Sequence, residues 1–404
     1  MRLGQTVWSS QEGVRHALLA RGVTLTQAMI DALPRAGVFA VYVEDGISEG
    51  IRATGPVSDR TRREAVGALG TVFTSAQGGG RTKVPDEQLA HLEGVVGKIL
   101  QEVRASGALL SFLDDLGSFD AHTLTHSINV CILGLMLGEA VMREDGWRDY
   151  RGMRRRDEID ARLVKLGLGL LLHDVGKVVI PQSVLTKPGR LSDDEMELIR
   201  QHPEAGALLV EGGTVSALAR AVIIGHHERV DGRGYPHGRS GEQIHLHARV
   251  AAVADVYDAV SSDRVYRMRR PSHEAYELVL GSAGTAFDPA VVRVFSRVVA
   301  PYPVGTAVVL STGERGLVAE NHPEHCTRPT VRITHDPAGG ALAAPEEIRL
   351  VDHLSVTVVD SIEDPADPAG APHPDPEAGH AEVLADLSID DALVVGAGRV
   401  AATR

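Results

Sequence analysis

"GLGLLLHDVGKVVIP", residues Gly167–Pro181, is among the most apolar stretches of the chain, yet His173, Asp174 and Lys177 stand in its middle. Burying an imidazole, a carboxylate and an ammonium together is costly unless each has a partner. The Leu-rich approach predicts a helix facing a core. The fold is then one in which that helix delivers three ionisable groups to a common interior site.

The same pattern recurs along the chain. His126 lies in "THSINV", His202 in "RQHPEAG", His226 and His227 in "IGHHE", and Asp255 in "AVADVYDA". Most of these follow apolar runs with helical spacing. A single helical histidine is ordinarily a hydrogen-bonded core or surface residue, and His16, His91 and His273 are read that way. The cluster is different. His173 and Asp174 are adjacent, Lys177 follows one turn later on the same face, and two neighbouring histidines precede a Gly-rich loop. Neutral imidazoles with carboxylates and no thiolate are a metal-ligand set. Their number predicts two divalent metal ions with an aspartate bridging them.

Bulk properties narrow the alternatives. The 404 residues suffice for two or three domains. The net charge is −13. The segment 361–404 holds nine acidic residues against two arginines, a net −7, so the body is only mildly acidic. A polymeric nucleic acid, which needs a broad basic face, is not an expected partner. A small phosphate ligand remains compatible with a local basic cluster. Cys131 and Cys326 are far apart without metal-type spacing, which fits a reduced cytoplasmic setting. "MRLGQTVWSSQEGVRHALL" has no apolar signal core, and no run reads as long enough to span a bilayer. Membrane insertion is therefore not expected.

The fold class expected is a mainly α domain flanked by a small α+β N-terminal module and a small β C-terminal module, with a disordered acidic tail. Residues 1–57 mix a helix in "LTQAMIDALPRAG" with a strand in "VFAVYVED". Residues 58–113 form a helical connector interrupted at "AQGGGR". The region 114–300 is helical almost throughout. Ser192 and Glu195 make a capping box in "LSDDEMELIRQH", and "ERVDGRGYPHGRSGEQI" is a Gly-rich loop. Residues 301–360 alternate with Gly at the turns, as in a small β module. Residues 361–404 are Pro-rich and acidic at first, with a short helix possible in "AEVLADLSIDDALVVGAG". Dimerisation through the connector helices is possible on this pattern.

The segments "HSINV" at 126, "HDVGK" at 173, "KPGRLSDDEMELIRQHPEAG" from 187, "HHERVDGRGYP" at 226 and "ADVYDAVSSDRVYR" at 254 resemble the HD-GYP phosphodiesterases. This is a branch of the HD metal-dependent phosphohydrolases that cleaves cyclic di-GMP. The resemblance covers about 190 residues in order and spacing and keeps Gly234-Tyr235-Pro236 intact. More weakly, residues 1–57 and "YPVGTAVVLSTGERGLV" resemble the small domain and the appendage that flank this one.

The resemblance implies an HD-type helical bundle. It also implies that His126, His173, Asp174 and Asp255 hold one metal, and that Asp174 bridges to a second held by His202, His226 and His227. Iron or manganese is the expected metal, with metal-activated water as the nucleophile. Lys177, together with Asp174, would act in catalysis by stabilising developing charge on the phosphate. Arg264 and Arg267 would contact phosphate, and Lys187 and Gly234 would line the substrate site. Tyr235 would either brace the site or touch a guanine. Some members carry an acidic residue for a third metal four positions before the first ligand. Here His122 stands there, which implies two metals and a pGpG product, with further cleavage to GMP open. The alternatives are a phosphohydrolase for another cyclic dinucleotide and a catalytically silent scaffold that binds one.

Overall fold

The computed structural model describes residues 1–4, 6–9, 16–33, 41, 43–51, 55–77, 83–107, 122–187, 189–211, 215–262, 271–323 and 325–362. The chain opens with β1 (Arg2–Leu3), β2 (Val7–Ser9), β3 (His16–Leu19), α1 (Gln27–Ala32) and β4 (Val43–Glu44). β1 pairs with β4 and β2 with β3, both antiparallel, over a core of Leu3, Val7 and Leu33. Part of "VFAVYVED" falls outside the described residues.

Two long helices follow, α2 (Asp59–Gln77) and α3 (Asp86–Ser106), packed on each other. The helical region continues with α4 (His122–Glu144), a hairpin of β5 (Trp147–Arg148) and β6 (Arg154–Arg155), and α5 (Ile159–Leu172). After a 3₁₀ turn at Val175–Val179 come α6 (Gln182–Leu185), α7 (Asp193–Ile199), α8 (His202–Leu209) and α9 (Ala217–Gly225). The helices α10 (Leu246–Ser261), α11 (Ser272–Gly281) and α12 (Pro289–Val298) complete the unit. Local chemistry fixes several starts. Ser192 and Glu195 form the expected capping box on α7, and Ser216 caps α9.

The stretch that opened the analysis is the hub of this unit. α5 packs against α3, α4 and α9 at once, and its alternating glycines permit it. A Cβ on Gly167 would stand 2.4 Å from a methyl of Val96, and one on Gly169 would stand 2.7 Å from Val222. Gly134 and Gly138 of α4 likewise leave room for Leu170 and Leu166. One apolar core runs from α2 to α12. It is built mostly of Leu, Val, Ile and Ala, with Tyr257, Tyr276, Phe287 and Phe295 as its aromatic members.

Three expectations need correction. The region 114–300 is not helical apart from one loop, because the β5–β6 hairpin interrupts it. The helix through "GLGLLLHDVGK" stops at Leu172, and Lys177 sits on a 3₁₀ turn. Finally, Thr123–Glu144 is long and apolar enough to cross a bilayer by length and composition, although 72% of its apolar window is buried inside the fold.

The chain then forms an antiparallel sheet of β7 (Ala307–Leu310), β8 (Arg315–Glu320), β9 (Thr330–His335), β10 (Ala341–Arg349) and β11 (Val358–Ile362), in the order β10-β9-β8-β7-β11. Val308, Leu310, Val318, Val331, Ile333 and Leu350 form its core. Arg332 on β9 donates to the carbonyls of Ile47 at 3.1 Å and Glu49 at 2.6 Å, which ties this sheet to the N-terminal segment. The tail expected over 361–404 lies outside the described residues from 363 onward.

Candidate metal centre

Helix ends converge on one point. His173 caps the C-terminus of α5, His226 caps α9, His202 opens α8, and His126 and Asp255 project from α4 and α10. All seven expected ligands, His126, His173, Asp174, His202, His226, His227 and Asp255, are buried at 7% exposure or less. Donor atoms of His126, His173 and Asp255 lie within 4.8 Å of one another, as do those of His202, His226 and His227. His173, Asp174 and His226 make a third such group between them.

Asp174 faces both halves. Its Oδ2 is 3.4 Å from His173 Nε2 and 4.0 Å from His126 Nε2, while its Oδ1 is 3.4 Å from His202 Nε2. Asp255 Oδ1 is 3.0 Å from His126 Nε2, and its Oδ2 is 3.9 Å from His227 Nδ1. Lys177 donates to Asp174 Oδ2 at 2.8 Å. The 3₁₀ geometry explains that contact, since residues three apart eclipse one another there.

The imidazoles are oriented from behind. Nδ1 of His173 is 2.7 Å from Leu170 O, Nδ1 of His202 is 2.8 Å from Ile199 O, and Nδ1 of His226 is 3.0 Å from Ile223 O. A proton held there leaves each Nε2 lone pair facing inward. Burial pushes the pKa of His202 down to about 4 and of His226 to about 3, and holds His227 well below the ordinary range. All three are neutral at neutral pH. Burial raises the Asp174 pKa, but His173 and Lys177 outweigh it and keep the carboxylate ionised. His126 is lowered by burial and raised more by its bonds to Asp255 and Asp258, reaching about 9.

A cation fits this donor set. Three buried carboxylates meet in the cluster, Asp174 on the Lys177 ammonium and Asp255 and Asp258 on His126. His173 Nε2, His227 Nε2, Asp174 Oδ1 and Asp255 Oδ2 are buried without a hydrogen-bond partner. Such orphans cost several kcal/mol per ion, on the order of the penalties for unpaired buried charge, unless a positive ion takes their lone pairs.

The loop after His227 closes one side. A Cβ at Gly234 would stand 2.4 Å from both Arg229 N and His227 O, so only glycine lets the loop lie this close. Tyr235 then stacks on His227 at 4.6 Å between ring centres, with the Arg200 guanidinium 5.7 Å from its ring.

Lys187 is not brought into the cluster's contacts. Its ammonium meets Glu195 of the capping box at 2.5 Å. Arg264, Arg267 and the side chain of His122 lie outside the described residues. Two site residues escaped the sequence reading. Asp258, one turn after Asp255, has Oδ2 2.6 Å from His126 Nδ1. Glu228 is buried and accepts from His237 N and Arg239 N, both at 2.9 Å, which shapes the loop. The i,i+3 spacing of two aspartates on an apolar helix was the available signal for the first.

Residues 153–291 match the HD domain family, and residues 307–366 match the KOW domain associated with HD domain. The chain carries a segment similar to the HD domain family. HD-domain phosphohydrolases use divalent metals, and the His and Asp clusters of this domain have the donors for them. The chain is 40% identical over 246 residues to the cyclic di-GMP phosphodiesterase PA4108 of Pseudomonas aeruginosa, covering 60% of this chain and 55% of that one. It is 41% identical over 142 residues to the cyclic di-GMP phosphodiesterase response regulator RpfG of Xanthomonas campestris, covering 35% and 37%. It is also 36% identical over 124 residues to the 3'3'-cGAMP-specific phosphodiesterase 2 of Vibrio cholerae, covering 30% and 24%. The chain thus spans about half or less of the length of these relatives.

Proposed function

We propose that the chain is a metal-dependent phosphodiesterase that hydrolyses cyclic di-GMP to linear pGpG at a dinuclear site. The observation that carries this is the meeting of two donor triads, His126–His173–Asp255 and His202–His226–His227, at the two oxygens of Asp174. In this reading the first triad holds one ion, the second triad the other, and Asp174 bridges. Iron or manganese suits such mixed imidazole and carboxylate ligands. Bound there, the ions supply Lewis acidity and lower the pKa of water into the working range.

The residues of the chain do the rest. Helix-end carbonyls hold three imidazoles in one tautomer, so the donors are set before substrate arrives. Lys177, bonded to Asp174 and 19% exposed at its side chain, is placed to stabilise negative charge on phosphate as water adds and one P–O bond breaks. Tyr235 keeps the His227 ring from turning away. Arg264 and Arg267 contribute phosphate contacts. Two buried free cysteines suit a cytoplasmic setting.

The relative named for 3'3'-cGAMP favours a second reading, a phosphodiesterase for that hybrid dinucleotide. Time courses with manganese-loaded or iron-loaded protein, resolved by chromatography, test both. The first reading expects cyclic di-GMP to be consumed with pGpG accumulating. Preferential loss of 3'3'-cGAMP supports the second, and no turnover of either with the metals bound points to a binding scaffold.

A further inference from the structure

The supports behind the four anchored histidines are not alike. His173 and His226 are C-caps and His202 follows the end of α7, so each finds a helix-end carbonyl three residues back. Such carbonyls are free because a helix leaves its last four without intrahelical partners. His126 is the fifth residue of α4. There the preceding carbonyls already serve the helix, and that of Thr123 also accepts from Ser127 Oγ at 3.1 Å. Among the described residues the partner of its Nδ1 is instead a side chain from another helix.

We propose that Asp258 is the positioning residue of His126, a carboxylate that does from α10 what helix-end carbonyls do for the other three. Its Oδ2 is 2.6 Å from His126 Nδ1, it is 1% exposed, and its Oδ1 accepts from Ser262 Oγ at 3.3 Å. Both carboxylate oxygens are therefore fixed. Asp255 and Asp258 lie on one face of α10, one turn apart, and meet the two nitrogens of the same ring: Asp255 Oδ1 is 3.0 Å from Nε2. The ring is set in orientation and tautomer, with Nδ1–H on Asp258 and Nε2 turned to the donor triad. An anionic acceptor also raises the donor strength of Nε2 beyond what a carbonyl gives. The first triad, and not the second, depends on a single side chain distant in sequence.

This inference rests on the dinuclear reading, and manganese binding separates the two. Full-length protein stripped of metal is titrated with Mn²⁺ in equilibrium dialysis, counting ions per chain, for wild type, Asp258→Asn, Asp258→Ala, His126→Ala and the double variant with Ala at both positions. Wild type is expected to take two ions. Asp258→Ala should weaken one of them by roughly 10- to 100-fold, the range for loss of such supporting contacts, and leave the other unchanged. Asp258→Asn, which keeps an acceptor oxygen but loses the charge, should fall between. In the His126→Ala background, Asp258→Ala should have no further effect on affinity. Equal weakening of both ions with a lowered melting temperature would make Asp258 a packing residue, and unchanged affinities or additive losses would equally overturn the proposal. A wild-type chain that takes up no manganese would instead overturn the metal reading, and with it any role for Asp258 toward a metal.

Discussion

Gly176→Ala tests whether the approach of two backbones sets the site. The 3₁₀ turn that carries Lys177 lies directly on the start of α8, which carries His202. A Cβ at Gly176 would stand 1.9 Å from His202 O and 2.5 Å from Gly206 N, both backbone atoms with no rotamer to yield. Carbon-to-oxygen contacts begin near ~3.3 Å, so the turn and α8 must separate by roughly 1.4 Å. Asp174 Oδ1 and His202 Nε2 are only 3.4 Å apart across the same seam, and that separation would grow by a comparable amount. Misplacement of about 1 Å costs on the order of 100-fold in rate. The overpacking itself costs about 1–3 kcal/mol. For a helical unit of this size that lowers Tm by ~2–12 °C. The assay pairs turnover of cyclic di-GMP with thermal unfolding of metal-free protein followed by circular dichroism. A variant with wild-type Tm and wild-type kcat would refute the reasoning, because the seam would then be slack.

Three further outcomes follow from the geometry. Asp174→Ala should abolish turnover and lower manganese occupancy of both halves of the site. Wild-type turnover that survives exhaustive chelation would sink the metal assignment. Lys177→Met should retain manganese and fold while lowering kcat at least tenfold, since the loss is of charge stabilisation during reaction; loss of metal or of the folded state would make Lys177 structural. In metal-free protein, unfolding free energy from denaturant titration should peak near pH 6.5. His202 and His226, at about 4 and about 3 when folded against 6.5 unfolded, contribute stability complete above 6.5 and lost as pH falls, whereas His126, at about 9, contributes stability complete below 6.5 and lost as pH rises toward 9. A profile flat from pH 4 to 9, or an alkaline limb unchanged by His126→Ala, would contradict this.

Apolar periodicity carried most of the helical unit, because α5, α9 and α10 bury long stretches and their apolar residues are dense. What it did not carry is short or locally contradictory. The β5–β6 hairpin pairs only Trp147 with Arg155 and Arg148 with Arg154, and an arginine-rich strand of two residues has no alternation to read. The end of α5 was equally hidden. "LLLHDVGKVV" keeps its apolar spacing through Val179, and the 3₁₀ turn there coincides with the close approach of Gly176 to α8. The apolar length of α4 is interrupted in sequence by His126 and Asn129, and burial among α2, α5, α10 and α12 accounts for that composition.

The seven ionisable residues of the site were legible as types out of place, since imidazole and carboxylate in apolar runs require a partner. Their supports were not, for a physical reason. A helix-end carbonyl that orients His173 or His226 exists in every sequence with that fold and leaves no mark on residue identity. Where the support is a side chain, a mark exists but looks ordinary: Asp258 reads as the polar residue of one helical turn, and Glu228 as the first residue of a loop. Lys187 shows the converse. Its basic type in a motif segment made it a substrate-binding expectation, yet the capping-box carboxylate of Glu195, eight residues on, already engages it. Sequence spacing thus identifies which groups are too costly to bury alone, while the choice of partner for each is made by helix ends and by close backbone approaches such as that at Gly176.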